Sequence, residues 1–154
     1  MNRFLVMGII IAVVVVVVAV VFLFFQTLPS EEVEITLYAG EINNNTVYAY
    51  GLERGNLTSP GPVLKVRVGS VVKLTLINVG VIPHVFIVHD KLEADPNIKP
   101  LFQDAKVGDV LEPVMPGERV STVFKVTRPG RFYYLCTIPG HVERGMYGTL
   151  IAYE

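Results

Sequence analysis

The sequence predicts an all-β sandwich carried behind one N-terminal membrane-spanning helix. Three observations point there. From Phe4 to Phe25 no side chain is charged or strongly polar. Beyond residue 30, short runs rich in β-branched and aromatic residues recur between glycine, proline and asparagine turns. No segment in that region carries an amphipathic helical period. A chain of 154 residues has room for one such domain and little else.

The apolar run comes first. As a helix, Phe4 to Phe25 would rise about 33 Å, enough to cross a hydrocarbon core of roughly 30 Å. A cleaved export leader is the alternative, but its apolar region is typically about 7–15 residues and ends at a small-residue site. No Ala-x-Ala pattern precedes Gln26-Thr27-Leu28-Pro29, so an uncleaved anchor is the expectation. Arg3 and the amino terminus flank one side, and Glu31, Glu32 and Glu34 the other. The positive-inside tendency then leaves residues 1–3 in the cytoplasm, residues 4–25 in the cell membrane as a single pass, and the rest outside. Residues 26–32 form a linker, and residues 33–154 the folded domain.

That domain divides into eight expected strands. Glu32 to Ala39 alternates Val33, Ile35, Leu37 and Ala39 with polar neighbours, the period of a half-buried strand. Val47 to Leu52 is shorter and carries two tyrosines. Val63 to Val68 and Val71 to Asn78 flank Gly69-Ser70, which reads as a tight hairpin. Val85 to Val88, Val120 to Val126, Arg131 to Cys136 and Tyr147 to Tyr153 complete the set. Many short strands with frequent turns make a β-sandwich. Asp90 to Glu118 interrupts the rhythm: it is long, charged and proline-rich, with Leu101, Phe102, Val107, Val110 and Leu111 as possible anchors. A structureless loop of that length is unusual, so a helical turn is expected within it. Asn44-Asn45-Thr46 and Asn56-Leu57-Thr58 match the glycosylation triplet, a pattern that recurs often by chance.

Charge and cysteine usage narrow the function. Of the 13 basic residues only Arg3 precedes residue 31, leaving 12 against 14 acidic ones and a net charge near −2. That balance gives no basic face for nucleic acid. The one cysteine, Cys136, cannot form an internal disulfide. It opens the run Cys136-Thr137-Ile138-Pro139-Gly140-His141-Val142-Glu143-Arg144-Gly145-Met146, which sets a thiolate, an imidazole and a thioether at even five-residue steps. These are three of the four donors of a mononuclear blue-copper site, whose trigonal plane needs one further histidine. His84, in Pro83-His84-Val85-Phe86, is available, and the chain holds only three histidines. His89 lacks a partner motif and reads as a turn histidine. Thiolate and thioether suit Cu(I), imidazole suits both oxidation states, and a long axial methionine reconciles their geometries. Pro139-Gly140 supplies the turn, and Gly145 and Gly148 are expected to relieve crowding around Met146.

The segment Phe132-Tyr133-Tyr134-Leu135-Cys136-Thr137-Ile138-Pro139-Gly140-His141, followed by Gly145-Met146-Tyr147-Gly148, resembles the copper-binding end of the cupredoxins. Within them it is most similar to rusticyanin and sulfocyanin, which share four-residue gaps on both sides of the histidine. Plastocyanin and azurin use a shorter gap on one side. Met115-Pro116-Gly117-Glu118 and Arg128-Pro129-Gly130-Arg131-Phe132 also look like cupredoxin turns, so the resemblance covers roughly residues 33 to 154. It implies a Greek-key sandwich and one type 1 copper ion cycling between Cu(I) and Cu(II) on His84, Cys136, His141 and Met146. It further implies a monomeric carrier, not an enzyme, passing single electrons between larger redox complexes of a respiratory chain, such as a terminal oxidase. A hydrophobic face around the second histidine is implied too: Ile138, Pro139, Val142 and Tyr147 would frame His141 as the electron port. An N-terminal anchor fits the sulfocyanin branch. One departure stands out. Where many cupredoxins carry Asn or Ser after the first histidine to tie the ligand loops together, this chain has Val85.

The rivals fall on residue counts. A binuclear copper centre needs two cysteines, and multicopper oxidases and nitrite reductases need further histidines. A module that stores or delivers copper without cycling it is the rival from another class. A metal-free sandwich that binds a protein partner is a weaker one. Zinc has little use for a weak thioether ligand.

Overall fold

A computed structural model of the chain describes residues 13–21 and 30–154. The chain divides into two compact units, Met1–Ser30 and Glu31–Glu154. In the first, residues 13–21 are helical with exposed side chains. Among the described residues no helix is long and apolar enough to cross a membrane. The remainder of the expected anchor, residues 1–3 that were expected in the cytoplasm, and most of the expected linker lie outside the described residues.

The second unit is built of ten strands: β1 (Glu32–Ile42), β2 (Val47–Glu53), β3 (Asn56–Thr58), β4 (Leu64–Arg67), β5 (Val71–Asn78), β6 (Phe86–His89), β7 (Lys106–Val107), β8 (Arg119–Lys125), β9 (Gly130–Leu135) and β10 (Tyr147–Tyr153). They form two five-stranded sheets, in the orders β3-β2-β1-β5-β8 and β4-β10-β9-β6-β7. Period-2 alternation turns one face of each sheet inward. Leu37 and Ala39 of β1 and Val72, Leu74 and Leu76 of β5 meet Leu64, Val66, Phe132, Tyr134, Leu150 and Ala152 of the other sheet in one core. Each large aliphatic side chain removed from water there contributes roughly 1.5–3 kcal/mol.

Three expectations change. Gly69-Ser70 is not a hairpin within one sheet. β4 pairs in parallel with β10, whereas β5 pairs in parallel with β1. The turn, with Gly69 at φ 93°, carries the chain across the sandwich. That crossing lets the inward residues of β4 and β5 face one another; a hairpin would align them side by side on one face. The segment Asp90–Glu118 holds no helical turn. It is fixed by the short strand β7 on β6, by Leu101 N–H donating to the Val88 carbonyl at 2.8 Å, and by Phe102, which is buried against Phe124 and Phe132. Leu111, expected as an anchor, is 89% exposed. Of the two Asn-x-Thr triplets, the first lies in the β1–β2 turn and the second forms β3.

In that β1–β2 turn, Asn43, Asn44 and Asn45 all adopt left-handed backbone angles, which asparagine tolerates better than most residues. The tight turn fixes the register Glu41↔Tyr48 and Ala39↔Tyr50. Directly opposed residues share a face, so Glu41, Tyr48 and Tyr50 all project to the side on which Leu37 and Ala39 meet the core.

Candidate metal centre

Cys136 follows the last residue of β9, and Met146 precedes the first of β10. The loop between them closes on itself. Cys136 N–H donates to the Met146 carbonyl at 3.1 Å, and Met146 N–H donates to the His141 carbonyl at 2.9 Å. His141 N–H donates to the Ile138 carbonyl at 3.1 Å. Gly140 and Gly145 take positive φ values of 83° and 94° in these turns. Crowding around Met146 was the expectation, but the contacts that require glycine are with Ser59, just past β3, and with Tyr134 of β9. A Cβ on Gly145 would strike Ser59 Oγ, and one on Gly148 would strike the Tyr134 ring.

His84 arrives from elsewhere in the chain. It pairs with Val114 in an isolated bridge, donating to and accepting from its backbone at 3.1 and 2.9 Å. Asn78, buried at the end of β5, secures the approach. Its amide donates to the Ile82 and Val114 carbonyls at 2.7 and 2.9 Å, and its side-chain oxygen accepts from Gly80 N–H at 2.9 Å.

The fold brings the expected residues together. The donor atoms of His84, Cys136 and His141 all lie within 4.8 Å of one another, with Cys136 Sγ 3.3 Å from His141 Nδ1. Met146 is fully buried on the same loop. His89 stays apart, at the far end of β6, where Asp90 and Lys91 flank it. Of the residues expected to frame His141, Ile138, Val142 and Tyr147 are half-buried and Pro139 is exposed. Tyr48 lies against the pair of histidines, its ring centroid 4.4 Å from that of His141 and 6.2 Å from that of His84. Arg144 covers its outer face at 5.2 Å.

Val85 does tie the ligand loops together, through its backbone. Its N–H donates to Cys136 Sγ at 3.3 Å, and its carbonyl accepts from Tyr50 Oη at 2.6 Å. Burial pushes the Cys136 thiol up to about 12, opposed by the backbone N–H groups of Ile138 and Val85. Burial likewise lowers both imidazoles. His141 falls to about 4, with His84 adding to the effect and Glu41 opposing it; for His84, Glu41 again opposes. Both rings are therefore neutral near pH 7 and carry free lone pairs, the form a metal binds.

Whether these residues suit a copper ion can be read from His84. Its Nε2 lies 3.0 Å from Glu41 Oε1, and a carboxylate only accepts, so the proton sits on Nε2. Nδ1 is then a lone pair buried in the protein, and among the described residues it has no hydrogen-bond partner. An unsatisfied buried group costs about 1–3 kcal/mol, which a bound cation would offset. A thiolate, two imidazoles and a thioether form a copper donor set. The residues fit.

Glu41, Tyr48, Tyr50 and Asn78 escaped the sequence reading. Glu41 did leave a signal: Val33, Ile35, Leu37 and Ala39 mark inward slots, and the next slot holds a carboxylate.

Two stacked sheets with a buried His–Cys–His cluster at one end, and a methionine closing the same loop, define a cupredoxin carrying a single type 1 copper. The chain belongs to the sulfocyanin family: the sulfocyanin (SoxE) domain matches residues 25–154. Among solved structures, rusticyanin from Thiobacillus ferrooxidans is similar at 25% identity, with 80% of this chain and 79% of that one covered and a TM-score of 0.60. The copper nitrite reductase from Nitrosomonas europaea shares 27% identity over 80% of this chain and 42% of that one, with a TM-score of 0.58. In sequence, the chain is 36% identical over 99 residues to the copper-containing nitrite reductase of Cereibacter sphaeroides, a match covering 60% of this chain and 24% of that protein. The chain thus spans about a quarter of the length of the curated relatives it matches.

Proposed function

We propose that the chain is a membrane-anchored carrier of single electrons, with His84, Cys136, His141 and Met146 holding the copper. Bound there, copper supplies one-electron chemistry by alternating between Cu(I) and Cu(II). The observation that carries this reading is the closed, tied cluster: three donor atoms within 4.8 Å, all three residues buried, on loops joined by backbone bonds. Loops held this way keep one geometry for both oxidation states, so little rearrangement accompanies each electron. Cys136 and His84 are fully buried, whereas His141 retains 6% exposure. The imidazole edge of His141 is therefore the port, and Ile138, Pro139, Val142 and Tyr147 surround it with an apolar rim that favours brief docking.

The carrier works outside the cell membrane as a monomer, held by the apolar run Phe4 to Phe25 with its N-terminus in the cytoplasm. It serves respiratory donor and acceptor complexes, a terminal oxidase among them, and is not itself an enzyme. Support comes from the unbroken apolar run and from three histidines, too few for a second copper centre beside the first.

Adding Cu(II) to the full chain in detergent tests the proposal. The expected result is an intense blue thiolate-to-copper band that bleaches on reduction and returns on oxidation. Cys136→Ser should abolish the band. No colour in the wild type overturns the copper reading, and colour without reversible reduction favours copper delivery.

A further inference from the structure

Glu41 is an anion where the fold offers an apolar slot. It occupies the inward position after Leu37 and Ala39, and its side chain is only 3% exposed. Among the described residues no lysine or arginine pairs with it, and the one titratable side chain it meets is the neutral His84. Oε2 accepts from Val81 N–H at 2.9 Å. Oε1 accepts from Ile82 N–H at 3.3 Å and from His84 Nε2 at 3.0 Å. The backbone is shaped around this carboxylate: a Cβ on Gly80 would fall on it. A carboxamide would avoid the several-kcal/mol desolvation cost of a buried charge, but it has one accepting oxygen where this site offers donors to two.

The other ring nitrogen of His84, Nδ1, is buried and unpartnered, and His84 groups with Cys136 and His141. A carboxylate that accepts the outer N–H of a ligand histidine fixes its tautomer and strengthens its donor nitrogen. We propose that Glu41 is a positioning residue for the copper centre, holding His84 with Nδ1 toward the metal and lowering the reduction potential with its buried negative charge. This rests on the copper reading above. The sign follows from charge. With one thiolate the centre is +1 when oxidised and neutral when reduced; adding Glu41 makes these 0 and −1. A fixed anion stabilises the more positive, oxidised state more, so accepting an electron becomes harder. On reduction one electron arrives from the partner protein. No bond to Glu41 forms or breaks, and the proton stays on His84 Nε2.

The test uses the full chain in detergent. In the metal-free wild type, nitrogen-edited NMR should report His84 as the Nε2–H tautomer. This reading depends on no variant's folding, and an Nδ1–H tautomer overturns the proposal. In the copper-loaded protein, Glu41→Gln should keep the blue band and raise the reduction potential, while Glu41→Asp should bring the potential back toward the wild-type value. A blue Glu41→Gln variant with an unchanged potential overturns the role of Glu41 and leaves the copper reading intact. A colourless wild type overturns both.

Discussion

Val85 has a side chain that can neither donate nor accept a hydrogen bond, yet its backbone joins two halves of the site. Tyr50 Oη reaches its carbonyl from β2, and its N–H reaches the Cys136 sulfur. Tyr50 is fully buried, so Tyr50→Phe deletes this bond with little change in packing. We expect a loss of about 0.5–1.5 kcal/mol, seen as a lower thermal midpoint of the metal-free chain, with the blue band retained after loading. The metal donors were legible in the sequence because three of them share one loop and the fourth had few rivals. Tyr50 and Glu41 were not, since a contact across 35 or 43 positions follows from strand pairing and leaves no local spacing to read. At Glu41 the strand period did mark the slot, and only the pairing explains why a carboxylate belongs in it.

Among the elements, β10 shows how closely the two sides of a strand pair can be fitted. Gly148 lies opposite Tyr134 in the register, and the Tyr134 ring occupies the space a side chain at 148 would need. Tyr134 cannot easily yield. It packs against Tyr50 and Phe86, and its hydroxyl donates to the Pro62 carbonyl at 2.5 Å. Gly148→Ala should therefore cost about 1–3 kcal/mol through overpacking, measured as a lower urea midpoint. The eight expected strands are all present because period-2 alternation is local. The three-residue β3 and two-residue β7 are too short to carry a period. The Gly69-Ser70 turn was misread because partner choice is not local: the same two runs could pair with each other or with β10 and β1, and only the shared core decides.

For the whole molecule, copper acts as a brace between distant segments. A ligand that binds only the folded state stabilises it by RT ln(1 + [L]/Kd), about 2.7 kcal/mol when free ligand is 100-fold above Kd. Removing copper should accordingly lower the urea midpoint of the full chain, and restoring it should recover the midpoint. The strand order gives the brace a schedule as well. β10 sits between β4 and β9 although it follows both in the sequence. Before Tyr147–Tyr153 is in place, β4 and β9 have no strand joining them, and the loop from Cys136 to Met146 is anchored at one end only. A chain made only as far as the loop thus offers a thiol and a histidine but no closed cage, and a loaded ion certifies that β10 has docked between strands made before it.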